Sequence, residues 1–218
     1  MRSGETAFLR KFLEVYWLKP FDAVWDASTA SVISDAPMEE PSLDLGCGDG
    51  LFMLVALGGR ARLAYDRYTN ADTDALAAEP PSRAFTVGMD WNAGLLRKAK
   101  QTQAYRHLVR ADGQALPFAG GSFSTVFCNI LYWLPDWRAA LSEMRRVLRD
   151  DGRLVLIVPD RGIGGRLRSH HRAQHYRRRG WGWAADFFDR IDNGRFGTLT
   201  RLTGDRTEWT RRLADAGF

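Results

Sequence analysis

The stretch LDLGCGDG at residues 43–50 decides the fold. Leu43-Asp44-Leu45 predicts a short strand, and the apolar run Leu51–Leu57 after the glycines predicts a helix. Glycines let the backbone turn sharply and come close to a ligand, while the N-terminus of the following helix attracts negative groups. The stretch therefore predicts the opening of a βαβ unit with a ligand-binding turn.

Two nucleotide-binding patterns do not fit this turn. A P-loop needs Gly-Lys-Ser or Gly-Lys-Thr after its first glycine and four further residues, and the sequence contains neither tripeptide. A dinucleotide fingerprint needs glycine at the sixth position, which from Gly46 is Leu51. The third glycine comes one place early, at Gly50, so the turn departs from both patterns.

The rest of the chain alternates strand-like and helical patterns. Short apolar runs predict four more strands, and residues with one-face helical spacing lie between them. The strands are predicted at 84–89, 107–111, 123–130 and 153–158, and the helices include 93–103 and one that begins after Asp136. Five strands separated by four helical segments predict an α/β fold with a doubly wound, mostly parallel sheet.

Five segments in this order resemble the class I S-adenosylmethionine-dependent methyltransferases, over roughly residues 40–160. The segments are LDLGCGDG, VGMDWN, ADGQALPF, SFSTVFCNILYWLPDW and LRDDGRLVLIVP. Within that class the chain resembles small-molecule enzymes related to quinone biosynthesis, of the type-11 kind. The resemblance implies a Rossmann-like fold and S-adenosylmethionine as cofactor. In this class a further strand pair follows a sequence like LADAGF, where this chain ends, so we expect that pair to be missing.

The resemblance also implies the residues that hold the cofactor. The loop Gly46–Gly50 would wrap its methionine end, with Asp44 accepting from the ammonium group. Asp90 would accept from both ribose hydroxyls, because a carboxylate has two oxygens, and Trp91 would stack on the adenine.

Later strand ends complete the predicted cofactor site. Asp112 would accept from the adenine amino group, Gly113 would give the backbone access to the ring edge, and Asn129 would face the methionine portion. Each acid alone is equally typical of a solvated turn or a helix cap, but the strand ends of such a sheet converge on one crevice. The full set is Asp44, Gly46, Cys47, Gly48, Gly50, Asp90, Trp91, Asp112, Gly113 and Asn129.

We interpret residues 1–218 as a single methyltransferase domain with three additions. Residues 1–36 predict an N-terminal helical cap, which includes an amphipathic helix at 5–18. Residues 58–83 predict an irregular insertion that is either a lid or a surface elaboration. Because this insertion precedes the second strand of the sheet, choosing Asp90 over Asp66, Asp72 or Asp74 rests on its position at a strand end.

The third addition, residues 161–200, is a basic segment on the expected acceptor side. Residues 161–179 hold seven arginines and no acidic residue, which leaves 24 basic and 26 acidic residues elsewhere, a net charge of −2 against +5 for the whole chain. Such arginines are typical of three binding surfaces: one for a phosphate or carboxylate on the acceptor, one for RNA in which aromatic rings stack on bases, and one for an anionic membrane. The remaining interpretation is a solvated helix face.

Methyl transfer from a sulfonium needs a base only when the acceptor is protonated. Tyr132, His170 and His171 are the candidate catalytic residues, since histidine titrates near neutrality. The other interpretation makes the histidines surface residues and Tyr132 a packing residue or pocket wall.

Composition limits the compartment and the class of protein. The 218 residues suffice for one domain, and no apolar run approaches the about 18 residues of a membrane span. Cys47 and Cys128 are too few for a disulfide framework or a four-ligand metal site, so we expect no metal and a cytoplasmic location.

The sequence therefore predicts methyl transfer to a small or lipid-linked, anionic acceptor at oxygen or carbon. Two alternatives stay open. One is a non-catalytic, cofactor-binding regulatory module of the same fold, and the other is an RNA methyltransferase. The acceptor itself and the oligomeric state have no sequence signal.

Overall fold

The computed structural model describes residues 3–15, 20–63, 76–160, 168–188 and 202–218. The chain divides into two compact units, with residues 1–128 and 146–155 in the first and residues 129–145 and 156–218 in the second. The interpretation as a single domain stays a prediction.

A five-stranded sheet supports the first unit. The strands in chain order are β1 Ser42–Leu45, β2 Arg60–Leu63, β3 Leu76–Glu79, β4 Phe85–Asp90, β5 Tyr105–Arg110, β6 Phe123–Cys128 and β7 Leu148–Leu156. The main sheet has the order β5-β4-β1-β6-β7, in which β1 pairs in parallel with β4 and β6, and β4 in parallel with β5. The predicted doubly wound, mostly parallel sheet is confirmed, and the reversal of strand order beside β1 marks the crevice where such sheets bind ligands.

The helices follow the predicted order. They are α1 Ser3–Leu13, α2 Pro20–Ser34, α3 Leu51–Ala56, α4 Ala93–Thr102, α5 Trp137–Val147, α6 Arg168–Arg178 and α7 Arg206–Asp215, with a 3₁₀ turn at Leu131–Trp133 and a further helical stretch at 182–188. The first helix, predicted at 5–18, ends earlier in the structure, and residues 16–19 lie outside the described part of the chain. None of the described helices is long and apolar enough to cross a membrane.

A row of phenylalanine rings ties the N-terminal helices to the sheet. Phe12 of α1 stacks on Phe52 of α3 at 6.0 Å between ring centroids, and Phe52 stacks on Phe127 of β6 at 5.9 Å. Phe12 and Phe127 are almost fully buried, as are all four residues of β1. β1 is therefore buried on both faces, as a central parallel strand is, although its residues Ser42 and Asp44 are polar.

The described ends of the 58–83 insertion are regular, so the expectation of irregular structure there is wrong. Strands β2 and β3 pair antiparallel, with Arg60 opposite Glu79. The hairpin is anchored on the N-terminal region, because Arg60 forms an ion pair with Glu14 at 2.6 Å and Lys11 donates to the Gly58 carbonyl at 2.7 Å. The hydrophobic periodicity of the sequence did not reveal this backbone pairing, and for that reason the strands were not predicted. The lid role stays a prediction.

Strand β7 contains the turn that the sequence predicts at Asp150-Asp151-Gly152. A Cβ built on Gly152 would lie 2.7 Å from Leu148 Cγ and 3.0 Å from the Arg149 carbonyl oxygen. Residues four apart in a straight strand are about 13 Å apart, so the chain bends sharply inside this strand. The strand as a whole begins five residues before the predicted 153–158.

In the second unit, α7 packs through its tryptophan. Trp209 is buried and meets Trp137 edge-on at 6.4 Å, and the Arg212 guanidinium lies 4.7 Å from the Trp209 ring centroid. Asp205 starts α7 with a capping box, since it accepts from the Glu208 N–H while Glu208 accepts from the Asp205 N–H.

Gly88→Ala tests the tight approach of β4 and β5. A methyl group there would lie 2.8 Å from two Tyr105 ring carbons, so we expect a loss of about 1–3 kcal/mol and a melting temperature several degrees lower. Gly182→Ala is the control, because a Cβ at this exposed position meets nothing within 4 Å. Differential scanning fluorimetry measures both, and equal melting temperatures for the two variants would contradict the packing described.

Candidate functional site

The glycine loop after β1 has a backbone that ordinary residues rarely adopt. Gly46, Gly48 and Gly50 have φ of 86°, 57° and 75°, all in the left-handed region. The Gly46 and Cys47 N–H groups both donate to the Met89 carbonyl of β4, at 2.8 and 2.9 Å. The loop therefore continues the β1–β4 pairing and turns at the carboxyl ends of the strands.

The glycines of the loop differ in what surrounds them. A Cβ on Gly50 would lie 2.9 Å from Thr102 Oγ1 and 3.2 Å from Ala99 Cα, so this glycine permits close packing against α4. A Cβ on Gly48 would meet no atom within 4 Å. Gly48 thus presents bare backbone to open space, which suits close approach by a ligand.

The Asp90 carboxylate holds this loop in place. It is 8% exposed at the end of β4, and its Oδ2 accepts from the Gly48 N–H at 3.0 Å while Oδ1 accepts from the Asn92 N–H at 2.8 Å. Each carboxylate oxygen accepts more than one hydrogen bond, so lone pairs remain for ribose hydroxyls. The structure brings Asp90 to the glycine loop, and its ribose contact stays a prediction.

Asp44 lies deeper than the sequence suggested. Its side chain is 3% exposed, and Oδ2 accepts from the Tyr105 hydroxyl at 2.5 Å. Burial raises the pKa of Asp44 to about 7, against which the Tyr105 hydrogen bond acts, and the charge of Asp90 raises it further. The partner Tyr105 carried no sequence signal, because it comes from a different strand.

Two further carboxyl groups near the loop were not in the predicted set. Asp49, within the loop, is buried and accepts from the Leu51 N–H at 3.2 Å, and burial raises its pKa to about 6. Asp26 of α2 has a pKa raised to about 8 by burial and by the charges of Asp22 and Asp49. The position of Asp49 between two glycines of the loop was a sequence signal that could have identified it as a site residue, whereas no sequence pattern pointed to Asp26.

The adenine side of the predicted site is more open. Trp91, directly after β4, is 70% exposed, and its carbonyl accepts from Arg110 Nε at 3.0 Å. Asp112 is exposed beyond β5, where hydrogen bonds from the Gln114 N–H and side chain lower its pKa, and Gly113 is buried. An exposed indole beside a strand end is free to stack on a ligand ring.

The remaining predicted residues lie in the second unit. Asn129 follows β6, and its Oδ1 is buried with no hydrogen-bond partner among the described residues. Tyr132 is half-buried in the 3₁₀ turn, with its ring 5.9 Å from that of Trp133. His170 and His171 lie on α6, and their side chains are outside the described part of the structure. Their catalytic roles stay predictions.

A groove of about 370 Å³ also lies in the second unit, between the end of β7 and α7. Its lining includes Leu156, Asp160, Arg206 and Trp209. None of the predicted cofactor residues lines it.

The chain is similar to a family of methyltransferase domains. The family model for that domain matches residues 69–156, from inside the insertion to the end of β7. The match covers less than half of the chain, and the relatives and solved structures described below are methyltransferases as well.

Similar curated proteins are methyltransferases that match part of the chain. Malonyl-[acyl-carrier protein] O-methyltransferase of Legionella pneumophila is 33% identical over 117 residues, which is 52% of this chain and 34% of that protein. Demethylmenaquinone methyltransferase of Corynebacterium glutamicum is 40% identical over 76 residues, which is 34% of this chain and 32% of that protein. The chain therefore spans about a third of the length of these relatives.

Solved structures with the same fold are more distant in sequence. A methyltransferase of Thermotoga maritima has a TM-score of 0.56 at 15% identity, covering 88% of this chain and 70% of that one. A complex of the Haloferax volcanii Trm112 methyltransferase activator with a methyltransferase gives a TM-score of 0.55 at 18% identity, covering 100% of this chain and 77% of that one.

The residues present fit S-adenosylmethionine, the cofactor of this class. The cofactor carries positive charge on its sulfonium and ammonium groups, and the loop is surrounded by the carboxyl groups of Asp26, Asp44, Asp49 and Asp90. Gly48 leaves room where a side chain would intrude, and Trp91 offers an uncovered ring. The cofactor would be held by the glycines of the loop, the acidic residues at the strand ends and the indole of Trp91.

Gly48→Ala tests the open position in the loop. Both Gly48 and Gly121 have left-handed φ and no atom within 4 Å of a built Cβ, so alanine costs each roughly 1 kcal/mol of backbone strain. Only Gly48→Ala should weaken S-adenosylmethionine binding, roughly tenfold or more in calorimetry, because its methyl group enters the ligand space. Equal affinities for the two variants would show that Gly48 does not face the cofactor.

The buried carboxyl groups predict how stability depends on pH. Asp44 and Asp49 have folded-state pKa values raised to about 7 and about 6, so the folded state binds more protons than the unfolded one above about pH 4. The free energy of unfolding should therefore fall as pH rises from about 4 to about 8.

Asp44→Asn should flatten this dependence, because the amide stays neutral. Asp112→Asn is the control, since the pKa of Asp112 is lowered and this carboxyl group therefore stays ionised across the range from about pH 4 to about pH 8. Urea unfolding at several pH values measures both slopes. A slope for Asp44→Asn as steep as that of the parent would contradict the burial of this carboxyl group.

Proposed function

We propose that this chain transfers a methyl group from S-adenosylmethionine to an oxygen or carbon atom of a small or lipid-linked acceptor that carries negative charge. The observation that supports this most is the glycine loop held by Asp90, with Gly48 open and buried carboxyl groups around it. A loop built in this way suits a cationic ligand that approaches the backbone closely.

The chain's own residues have three tasks in this reaction. When bound, the cofactor supplies a methyl group on a sulfonium, and the transfer is an in-line displacement in which positive charge disappears. Protein groups therefore mainly align the two reactants and exclude water. Loop glycines and Asp90 would orient the cofactor, and Tyr132, His170 or His171 would accept a proton from an acceptor that has one to lose.

Relatives and charge support the acceptor class. The similar proteins are named for malonyl-[acyl-carrier protein], demethylmenaquinone and trans-aconitate, and two of these names denote carboxylated compounds. Arginines of α6 and the turn after it supply cations for such an acceptor, with Arg172, Arg177 and Arg178 exposed. We also propose a cytoplasmic location, which agrees with two buried cysteines that form no disulfide.

Trp91→Ala tests the adenine contact. Stacking of a base on an aromatic ring contributes about 1–3 kcal/mol, so the variant should bind S-adenosylmethionine about tenfold more weakly in calorimetry. Trp183→Ala is the matched control, because Trp183 is equally exposed, at 78% against 70% for Trp91, and lies in the other unit. An unchanged affinity for Trp91→Ala would exclude this ring from the site.

Methyl transfer itself is tested with cofactor labelled on its methyl group. We expect label to enter a nuclease-resistant, low-mass or lipid fraction of cell extract. Cofactor binding without any transfer would instead indicate a non-catalytic module, and label lost on ribonuclease treatment would indicate an RNA methyltransferase. Either result contradicts the proposed function.

A further inference from the structure

Large apolar rings project into solvent from a short region of the second unit. Trp181, Trp183 and Phe187 are 52%, 78% and 58% exposed. Grouped apolar side chains that stay in contact with water forgo about 25 cal/mol for each Å² left unburied, and such groups mark interaction surfaces.

These rings stand on an ordered support. Tyr176 of α6 stacks on Trp181 at 5.8 Å and on Phe188 at 5.6 Å, with interplanar angles of 10° and 7°. Ala173 of α6 and Ala185 of the helical stretch 182–188 are fully buried. The stacking joins α6 to the stretch that follows, so Trp183 and Phe187 project from a defined structure.

Exposed arginines lie close to these rings along the chain. Arg172, Arg177, Arg178 and Arg179 are exposed, and the Arg172 guanidinium lies 5.7 Å from the Phe188 ring centroid. Within the described residues 168–188, Asp186 is the single acidic residue against five arginines. We define the basic aromatic surface as Arg172, Arg177–Arg179, Trp181, Trp183 and Phe187.

We propose that the basic aromatic surface docks on an anionic lipid bilayer. Tryptophan and phenylalanine on one side of a basic element enter the boundary between headgroups and acyl chains, while arginines pair with lipid phosphates. Docking does not depend on methyl transfer. Combined with the proposed function, it would bring a lipid-linked acceptor to the enzyme.

The structure favours lipid over RNA at this surface. Bases bind by stacking on uncovered aromatic faces, and Tyr176 already stacks on Trp181, which leaves Trp183 and Phe187 as the more open rings of this surface. Phe187 offers no polar group for recognition and suits an apolar layer. Outside residues 161–179 the chain has a net charge of −2, so its excess positive charge is concentrated in one short segment, whereas nucleic-acid binding is favoured by contacts with many phosphates.

Vesicle flotation of the full chain tests the proposal. We expect binding to phosphatidylcholine vesicles with about 30 mol% phosphatidylserine, and at least about tenfold weaker binding to pure phosphatidylcholine. The double variant Trp183→Ala/Phe187→Ala should bind anionic vesicles at least about tenfold more weakly. Because both side chains are exposed, its melting temperature and cofactor affinity should match those of the parent.

Two triple variants that remove the same number of charges distinguish binding at this surface from general electrostatic attraction between the chain and the vesicle. Arg177→Gln/Arg178→Gln/Arg179→Gln should weaken binding about a hundredfold, while Arg83→Gln/Arg97→Gln/Arg106→Gln, exposed in the first unit, should change it less than about threefold. Equal losses in the two triple variants, or no preference for anionic vesicles, would overturn the proposal. The proposal would also be overturned if single-stranded RNA bound more tightly than vesicles and if this RNA binding were lost in the Trp183→Ala/Phe187→Ala variant. Intact cofactor binding in these cases leaves the proposed function standing.

Discussion

The hydrogen bond from the Gly48 N–H to the Asp90 carboxylate is the contact on which the site depends. It joins the loop after β1 to the end of β4, and two further N–H groups of the loop donate to Met89 beside it. Parallel pairing of β1 with β4 puts Leu45 opposite Met89, so the sheet register brings the acid to the loop. Left-handed backbone at the glycines lets the loop donate this hydrogen bond without a steric penalty. A single register of two strands therefore positions both the backbone and the acid of the candidate site.

In the absence of a bound cation, the buried carboxyl groups around this contact destabilise the folded protein. Asp44 and Asp49 are buried, and their pKa values are raised to about 7 and about 6. Burial is the largest cause for both, because the charged form loses its hydration. The Tyr105 hydroxyl supplies Asp44 with a compensating hydrogen bond. Retaining several poorly solvated carboxyl groups around an open backbone is physically reasonable for a site that binds a positively charged ligand.

The two units carry opposite electrostatic character. Carboxyl groups gather around the glycine loop in the first unit, and arginines with exposed rings gather on α6 and residues 179–187 in the second. The overall charge of +5 conceals this division, since residues 161–179 alone supply seven arginines. The first group of side chains would attract a cationic ligand, and the second group would attract an anionic one.

The sequence by itself determined the order of the five main-sheet strands and of the helices between them, the glycine turn, and the placement of Asp44, Asp90 and Asp112 in or just after successive strands. These are local properties, since periodicity and glycine spacing act within a few residues and parallel topology gathers strand ends on one side. Only the tertiary structure decided the β2–β3 pairing, the partnership of Tyr105 with Asp44, and the presence of Asp26 near the loop. It also decided that Asp44 is buried deeply while Asp112 is exposed, although both were predicted as cofactor-binding carboxylates. Each of these depends on contacts between residues far apart in the chain, and the free energy of burying a carboxyl group is set by such neighbours and by no local pattern.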